Sequence, residues 1–188
     1  MTQTETPTPT HIPTGYVQLP NLRFAAKGAT FHGGVVRASD IVTLNYTVEG
    51  SYRPDEDRTI SIALGDKAHG QVLTSGRLSA AAADAALASI LDQLNVQEPL
   101  GSFCKLVLRG TETDHDYTIV RTSCVRSVHV ASHGCSDGET TFFEVVVVLD
   151  DAANGYVCKI SALDEWAAHR RYTHVVDALA NRQAGILP

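Results

Sequence analysis

The chain has 188 residues, 44% hydrophobic and 19% charged, with a net charge of −6. That profile fits a packed soluble protein of one large domain or two small ones and excludes a disordered chain. The longest apolar stretch, Phe142–Leu149, is broken by Glu144 and falls far short of the roughly 18 residues a membrane helix needs. An acidic balance argues against a general electrostatic grip on nucleic acid.

The first residues are Thr/Pro-rich, with six Thr and three Pro between positions 2 and 14. Such a segment cannot pack a core by itself and is expected to be an arm over residues 1–20, either disordered or held by a neighbouring subunit. It lacks the basic-then-apolar pattern of a secretory signal. The four cysteines, Cys104, Cys124, Cys135 and Cys158, include no C-x-x-C pair, which points to a reducing compartment.

Alternating apolar and polar residues then predict strands. Ile41–Val48 places Val42, Leu44, Tyr46 and Val48 on one face and Thr43, Asn45 and Thr47 on the other. Arg58–Leu64 points Ile60, Ile62 and Leu64 inward, and a short strand follows near Gln71–Thr74. Leu78–Leu94 is Ala-rich with Leu87, Ile90, Leu91 and Leu94 at helical spacing, and Pro99 and Gly101 close it. Further strands are predicted at Phe103–Arg109, Tyr117–Ser123, Val125–Ala131, Thr141–Leu149 and Tyr156–Ile160. A final helix is predicted over Leu163–Asn181, with Leu163, Trp166, Val175, Val176 and Leu179 as its apolar positions.

The length is close to twice 94, and the second series of elements resembles the first. Displaced by 85 positions, Leu64–Leu94 aligns with Leu149–Leu179 without a gap, and ten of the 31 pairs are identical. Chance would supply about two or three. Upstream the displacement is 84: Val35-Val36-Arg37-Ala38-Ser39 faces Ile119-Val120-Arg121-Thr122-Ser123, and Gly50 matches Gly134. The expectation is an α+β fold of two tandem repeats, residues 21–97 and 98–188. Each would be an antiparallel five-stranded sheet followed by a helix. A single short helix is thin cover for five strands, so the copies are expected to share one sheet with both helices on one face. The other face would carry Thr43, Asn45, Thr47, Thr59 and Ser61 from the first copy. Ser127, His129, Glu144, Val146 and Val148 would come from the second.

The helix endings carry a resemblance. Glu165-Trp166-Ala167-Ala168-His169-Arg170-Arg171, Val176-Asp177-Ala178-Leu179-Ala180-Asn181 and Ala184-Gly185-Ile186-Leu187 are similar to the terminal helix region of one branch of the coat proteins of single-stranded RNA (levivirus-like) bacteriophages. Ile90-Leu91-Asp92-Gln93-Leu94-Asn95 is similar to the helix ending of another branch. In that family helices of one subunit cover the sheet of its partner. The resemblance therefore implies a fused dimer that self-assembles into an icosahedral-type shell around a single-stranded RNA genome. It would be made in the bacterial cytoplasm, with no enzymatic activity, cofactor or membrane partner. Alternatives are a phage tail-tube or other virion β-protein, or a small enzyme or ligand-binding module.

The family's sheet faces the genome. The halves carry −2 and −4, and phosphate contacts need cations, so the repeat-matched Arg37 and Arg121 are the cationic candidates for RNA. Thr43, Asn45, Thr47, Thr59, Ser61, Ser127 and His129 would hydrogen-bond bases or sugars. The alternative reading of both arginines is that they end equivalent strands with solvated or paired charges.

Two enzyme-like patterns are weaker. Gly134-Cys135-Ser136-Asp137-Gly138 matches G-x-S-x-G, but a strand follows it where a nucleophile elbow requires a helix. Cys124, His129, His133 and Cys135 fit no common zinc spacing, and His115 between two aspartates reads as an exposed turn.

Overall fold

The computed structural model describes residues 12–48, 57–65, 71–98, 102–110, 115–134, 141–150 and 157–180. The arm's first eleven residues and the G-x-S-x-G segment from Cys135 onward lie outside them.

The chain begins with an antiparallel hairpin, β1 (Tyr16–Ala26) and β2 (Ala29–Arg37), closed by a two-residue turn. Both turn residues are left-handed, Lys27 at φ 46° and Gly28 at φ 82°, the conformation that matches the twist of paired strands. Because β1 starts at Tyr16, the last five residues of the expected arm are strand. Then come β3 (Ile41–Val48), β4 (Arg58–Leu64), β5 (Val72–Ser75) and α1 (Ala80–Gln97). The same order of elements is met again: β6 (Phe103–Gly110), β7 (His115–Arg121), β8 (Val125–Gly134), β9 (Thr141–Leu149), β10 (Val157–Ala162) and α2 (Glu165–Ala180).

The class is α+β with antiparallel pairing, but the strands form two sheets rather than one. The larger runs β2-β1-β5-β4-β3-β7-β6 and the smaller β10-β9-β8. Strands β6 and β7 join the larger sheet through β3, so the sheet continues across the boundary expected between residues 97 and 98.

Two cores result. Alternation along the large sheet sends Phe24, Leu44, Ile60, Ile62 and Ile119 to one face, where Ala83, Ala86, Leu87, Ile90 and Leu94 of α1 meet them. Cys104, Leu106 and Val120 point the other way. They pack with Val145, Val147 and Leu149 of β9, Cys158 and Ile160 of β10, and Val175 of α2. The helices therefore do not lie together over one sheet. The polar face is not open throughout either, because part of it is a wall of the second core.

A bulge explains one exchange of faces. Ile41 pairs with Leu64 and Thr43 with Ala63, which leaves Val42 as an extra residue. Val42 is thereby turned into the second core, while Ile41, Leu44 and Tyr46 stay in the first. The same irregularity falls at Arg126, between Val125 opposite Leu149 and Ser127 opposite Val148. Short 3-10 turns precede both strands, at Ala38–Asp40 and Thr122–Cys124. Gly65 donates its N–H to Asp40 O, and Asp150 does the same to Cys124 O, both at 2.8 Å.

Both helices are capped by a side-chain oxygen at the residue before them. Ser79 Oγ accepts from Ala82 N at 3.2 Å and Asp164 Oδ1 from Ala167 N at 2.7 Å. Helix α2 is the less buried. Ala168 and Val175 are inside, whereas Leu163, expected to be apolar cover, is 95% exposed and Trp166 67% exposed. Among the described residues no helix is long and apolar enough to cross a membrane.

Candidate functional site: the junction of the two sheets and its edges

The expected RNA-facing residues do not form one accessible surface. Thr43 and Thr59 are buried, and Thr47 is half-buried. Asn45 is tied into the sheet: Thr118 Oγ1 donates to Asn45 Oδ1 at 2.6 Å, and Asn45 Nδ2 reaches Thr43 Oγ1 at 3.5 Å. Ser61 Oγ lies 3.2 Å from Thr74 Oγ1. Strand register puts these groups in one row, Thr118 opposite Asn45, Asn45 opposite Ser61 and Ser61 opposite Thr74. The row satisfies its own hydrogen bonds, which suits a half-covered sheet face. Ser127 and His129 are exposed on β8, and Arg37 is exposed at the end of β2.

The two matched arginines have different fates. Arg121 is drawn into the join between β7 and β3. Its Nε donates to Ile41 O at 2.8 Å and its NH2 to Ala38 O at 2.7 Å. The same guanidinium forks onto Glu98, NH1 to Oε2 at 3.1 Å and NH2 to Oε1 at 3.2 Å. It also sits 4.6 Å from the centre of the Phe103 ring. The planar fork thus fastens the start of β3 to the end of β7. Arg37 lies over Tyr16 in the same relation, 5.8 Å from the ring centre, with its NH2 3.4 Å from the Tyr16 hydroxyl. That hydroxyl holds the guanidinium above its ordinary value. Tyr16 is the register partner of Arg37, as Phe103 is of Arg121.

On the first-core side of the join, Tyr46 and Tyr117 stack at 4.8 Å. Lys105 Nζ lies 4.1 Å from the centre of the Tyr117 ring, and Arg58 Nε donates to Tyr46 OH at 3.1 Å. Burial raises the pKa of both phenols, most strongly Tyr117. The join is therefore aromatic on one side and polar on the other.

A groove of about 460 Å³ opens where β10 lies beside β6 without pairing to it. Leu106, Ile160 and Val175 form its apolar floor, and Trp166 and Arg170 of α2 its rim. Trp166 and Arg170 stand one turn apart on α2, with the guanidinium 4.7 Å from the centre of the indole ring. Such a rim has the chemistry to hold a flat or anionic group. Sequence reading treated Trp166 as core and passed over Arg170; the Trp-x-x-x-Arg spacing was the available signal. Glu98 was missed because it precedes a proline and looked like helix-ending punctuation.

Of the Cys/His pattern, Cys124 is buried and His129 is exposed, with Cys135 outside the described residues. His133 Nε2 is 2.8 Å from Glu144 Oε1, which also accepts from Lys159 Nζ at 2.9 Å. Partial burial pushes the Glu144 carboxyl up, but these two partners outweigh it and leave it below the ordinary value. The side chain of His115 lies outside the description. Compared with known proteins, the chain matches no family model, no curated protein and no solved structure.

Proposed function

We propose that the chain is a self-assembling structural subunit, a virion coat protein of the single-stranded RNA phage type in which one polypeptide carries two copies of a five-strand-plus-helix unit. The duplication is supported by the matched bulges at Val42 and Arg126, the matched turns, the caps at Ser79 and Asp164, and the Arg-over-ring pairs. The observation that carries the assembly reading is the join itself: β7 of the C-terminal half adds to the edge of β3 in the N-terminal half. Strand addition at an open edge is a general route to association, and an exposed edge is a liability unless a protein uses it.

The partners are other copies of the chain and, as cargo, single-stranded RNA; the place of action is the virion, assembled in the bacterial cytoplasm. Of the residues assigned to RNA, Arg37, Ser127 and His129 are exposed in the single chain. A virion tube is the second reading, and one observation favours it. A two-fold dimer joins like edges, whereas β3 meets β7, unlike strands in the order of their copies, and unlike joins propagate into rings or filaments.

Negative-stain microscopy of the purified protein tests both. Closed particles holding nuclease-protected RNA are expected for the coat reading, and tubes or stacked rings for the second. A monomer at every concentration overturns both.

A further inference from the structure

Among the described residues, two edges remain without a strand partner after β6 and β10 are set beside each other: β2 at the end of the larger sheet and β8 at the end of the smaller. They are the counterparts of the two strands that join within the chain. Displacing β3 by 84 positions gives β8, and displacing β7 back by 84 gives β2. We propose that β8 of one molecule pairs with β2 of a second copy, antiparallel, in the register by which β3 pairs with β7. This rests on the reading of the chain as a self-assembling subunit and names the surface it uses.

Within the chain Leu44 faces Ile119 and Thr43 faces Val120. The corresponding contact sets Val128 against Val35 and Ser127 against Val36 of the second copy. Leu44, Ile119, Thr43 and Val120 are all buried at the internal join, Leu44 and Ile119 in the first core and Val120 in the second. Their counterparts are not: Val35 is 44% exposed, Ser127 is exposed, and Val36 and Val128 are half-buried. The facing pair Val35 and Val128 is apolar and β-branched, a composition suited to a cross-strand contact.

The arginine completes the correspondence. Arg121 donates to Ala38 O and Ile41 O, whose counterparts are Thr122 O and Val125 O at the entry to β8. Arg37, held in the free chain over the Tyr16 ring and exposed, is the group that would donate to them from the second copy. Glu98 supplies the carboxylate at the internal join. Beside the β8 entry stands Asp150, whose N–H donates to Cys124 O and whose Oδ1 is buried without a hydrogen-bond partner among the described residues. A buried carboxylate oxygen with no donor is costly, and an incoming guanidinium supplies one. Because β8 and β2 lie on the same chain, each copy offers both halves of the contact, so the association continues from molecule to molecule until it closes.

The test uses the full chain with Cys135→Ser. Val35→Cys and Val128→Cys are combined, oxidised mildly and resolved on a denaturing gel; facing residues in an antiparallel pair lie within reach of a disulfide. The expected result is a ladder of covalent multimers with a 35–128 link, absent from either single variant. Arg37→Ala, at an exposed position, is expected to keep the far-UV circular dichroism of the parent while raising the concentration needed for assembly about tenfold. Assemblies that form without the 35–128 link and are indifferent to Arg37→Ala overturn the edge pairing and leave the structural reading standing. Failure of the parent chain to assemble at all overturns both.

Discussion

Arg121 and Glu98 meet fork to fork, two nitrogens on two carboxylate oxygens at 3.1 and 3.2 Å, at the point where the C-terminal strands join the N-terminal sheet. The same guanidinium reaches two main-chain carbonyls of the preceding turn and strand. Both side chains are largely covered, at 12% and 16% exposure, so removing one partner leaves the other poorly solvated.

Arg121→Ala is therefore expected to cost about 2–4 kcal/mol in urea unfolding, more than a surface ion pair is worth. Arg121→Lys is expected to recover little, because an ammonium cannot serve two carbonyls and a carboxylate in one plane. Recovery close to the parent would mean that charge alone matters there.

The polar row predicts an effect for a conservative change. Thr118→Val keeps the shape but removes the donor to Asn45 Oδ1, with an expected loss of about 1–2 kcal/mol. Pairing it with Asn45→Ala in a double-mutant cycle measures the coupling directly; additive losses would argue against the bond.

Packing makes a contrast between the helices. Ile90 in α1 is fully buried, and Ile90→Ala is expected to cost about 2–5 kcal/mol. Leu163, just ahead of α2, is exposed, and Leu163→Ser is expected to stay within about 0.5 kcal/mol. Thermal unfolding distinguishes them, and a large loss at Leu163 in the dispersed protein would contradict its position.

Much of this was legible in the sequence: the helices Ala80–Gln97 and Glu165–Ala180 and the strands from Ile41 onward lie close to where periodicity puts them. The hairpin β1–β2 was not found. Pro20 and Asn21 interrupt its first strand, and Gly33 and Gly34, at φ 61° and 125°, distort its second, so no clean alternation survives. The division into two sheets was not legible either. Whether Thr43 or Thr118 faces water depends on what packs over the sheet, which alternation along a strand does not encode. Arg37 and Arg121 looked equivalent as sequence, and the internal join alone separates them.

Buried thiols give a chemical prediction. Burial pushes Cys104 up to about 11 and Cys158 up to about 12, and Cys124 is raised as well. The neutral thiol is unreactive, so at pH 7–8 iodoacetamide is expected to spare these three in the folded protein and label them in urea, read by peptide mass spectrometry. The sign for stability follows. A group whose pKa is raised by folding stays protonated where the unfolded thiol has ionised, so stability falls as pH rises above about 8.5. A folding midpoint that rises between pH 9 and 11 would contradict this placement.

Acid acts through Glu144. Its carboxyl lies below the ordinary value in the fold, so its contribution is present above about pH 4.3 and is lost as pH falls through the lower folded value. Glu144→Gln is expected to cost about 0.5–1 kcal/mol at pH 7, since His133 and Lys159 are more than half exposed, and to flatten the acid limb of the stability profile.

The order in which the chain is made gives the β3–β7 join a temporal meaning. Strand β3 ends at Val48 and its partner β7 begins at His115, with β4, β5, α1 and β6 between them. At about 5–20 residues per second, the β3 edge waits uncovered for roughly 3–13 s, the last ~1–3 s of it after α1 is complete and β1–β5 can pack beneath it. During that interval a nascent chain exposes its internal docking edge to every neighbour on the same message. Whether it captures its own β7 or that of another chain separates a self-contained subunit from a strand-swapped one.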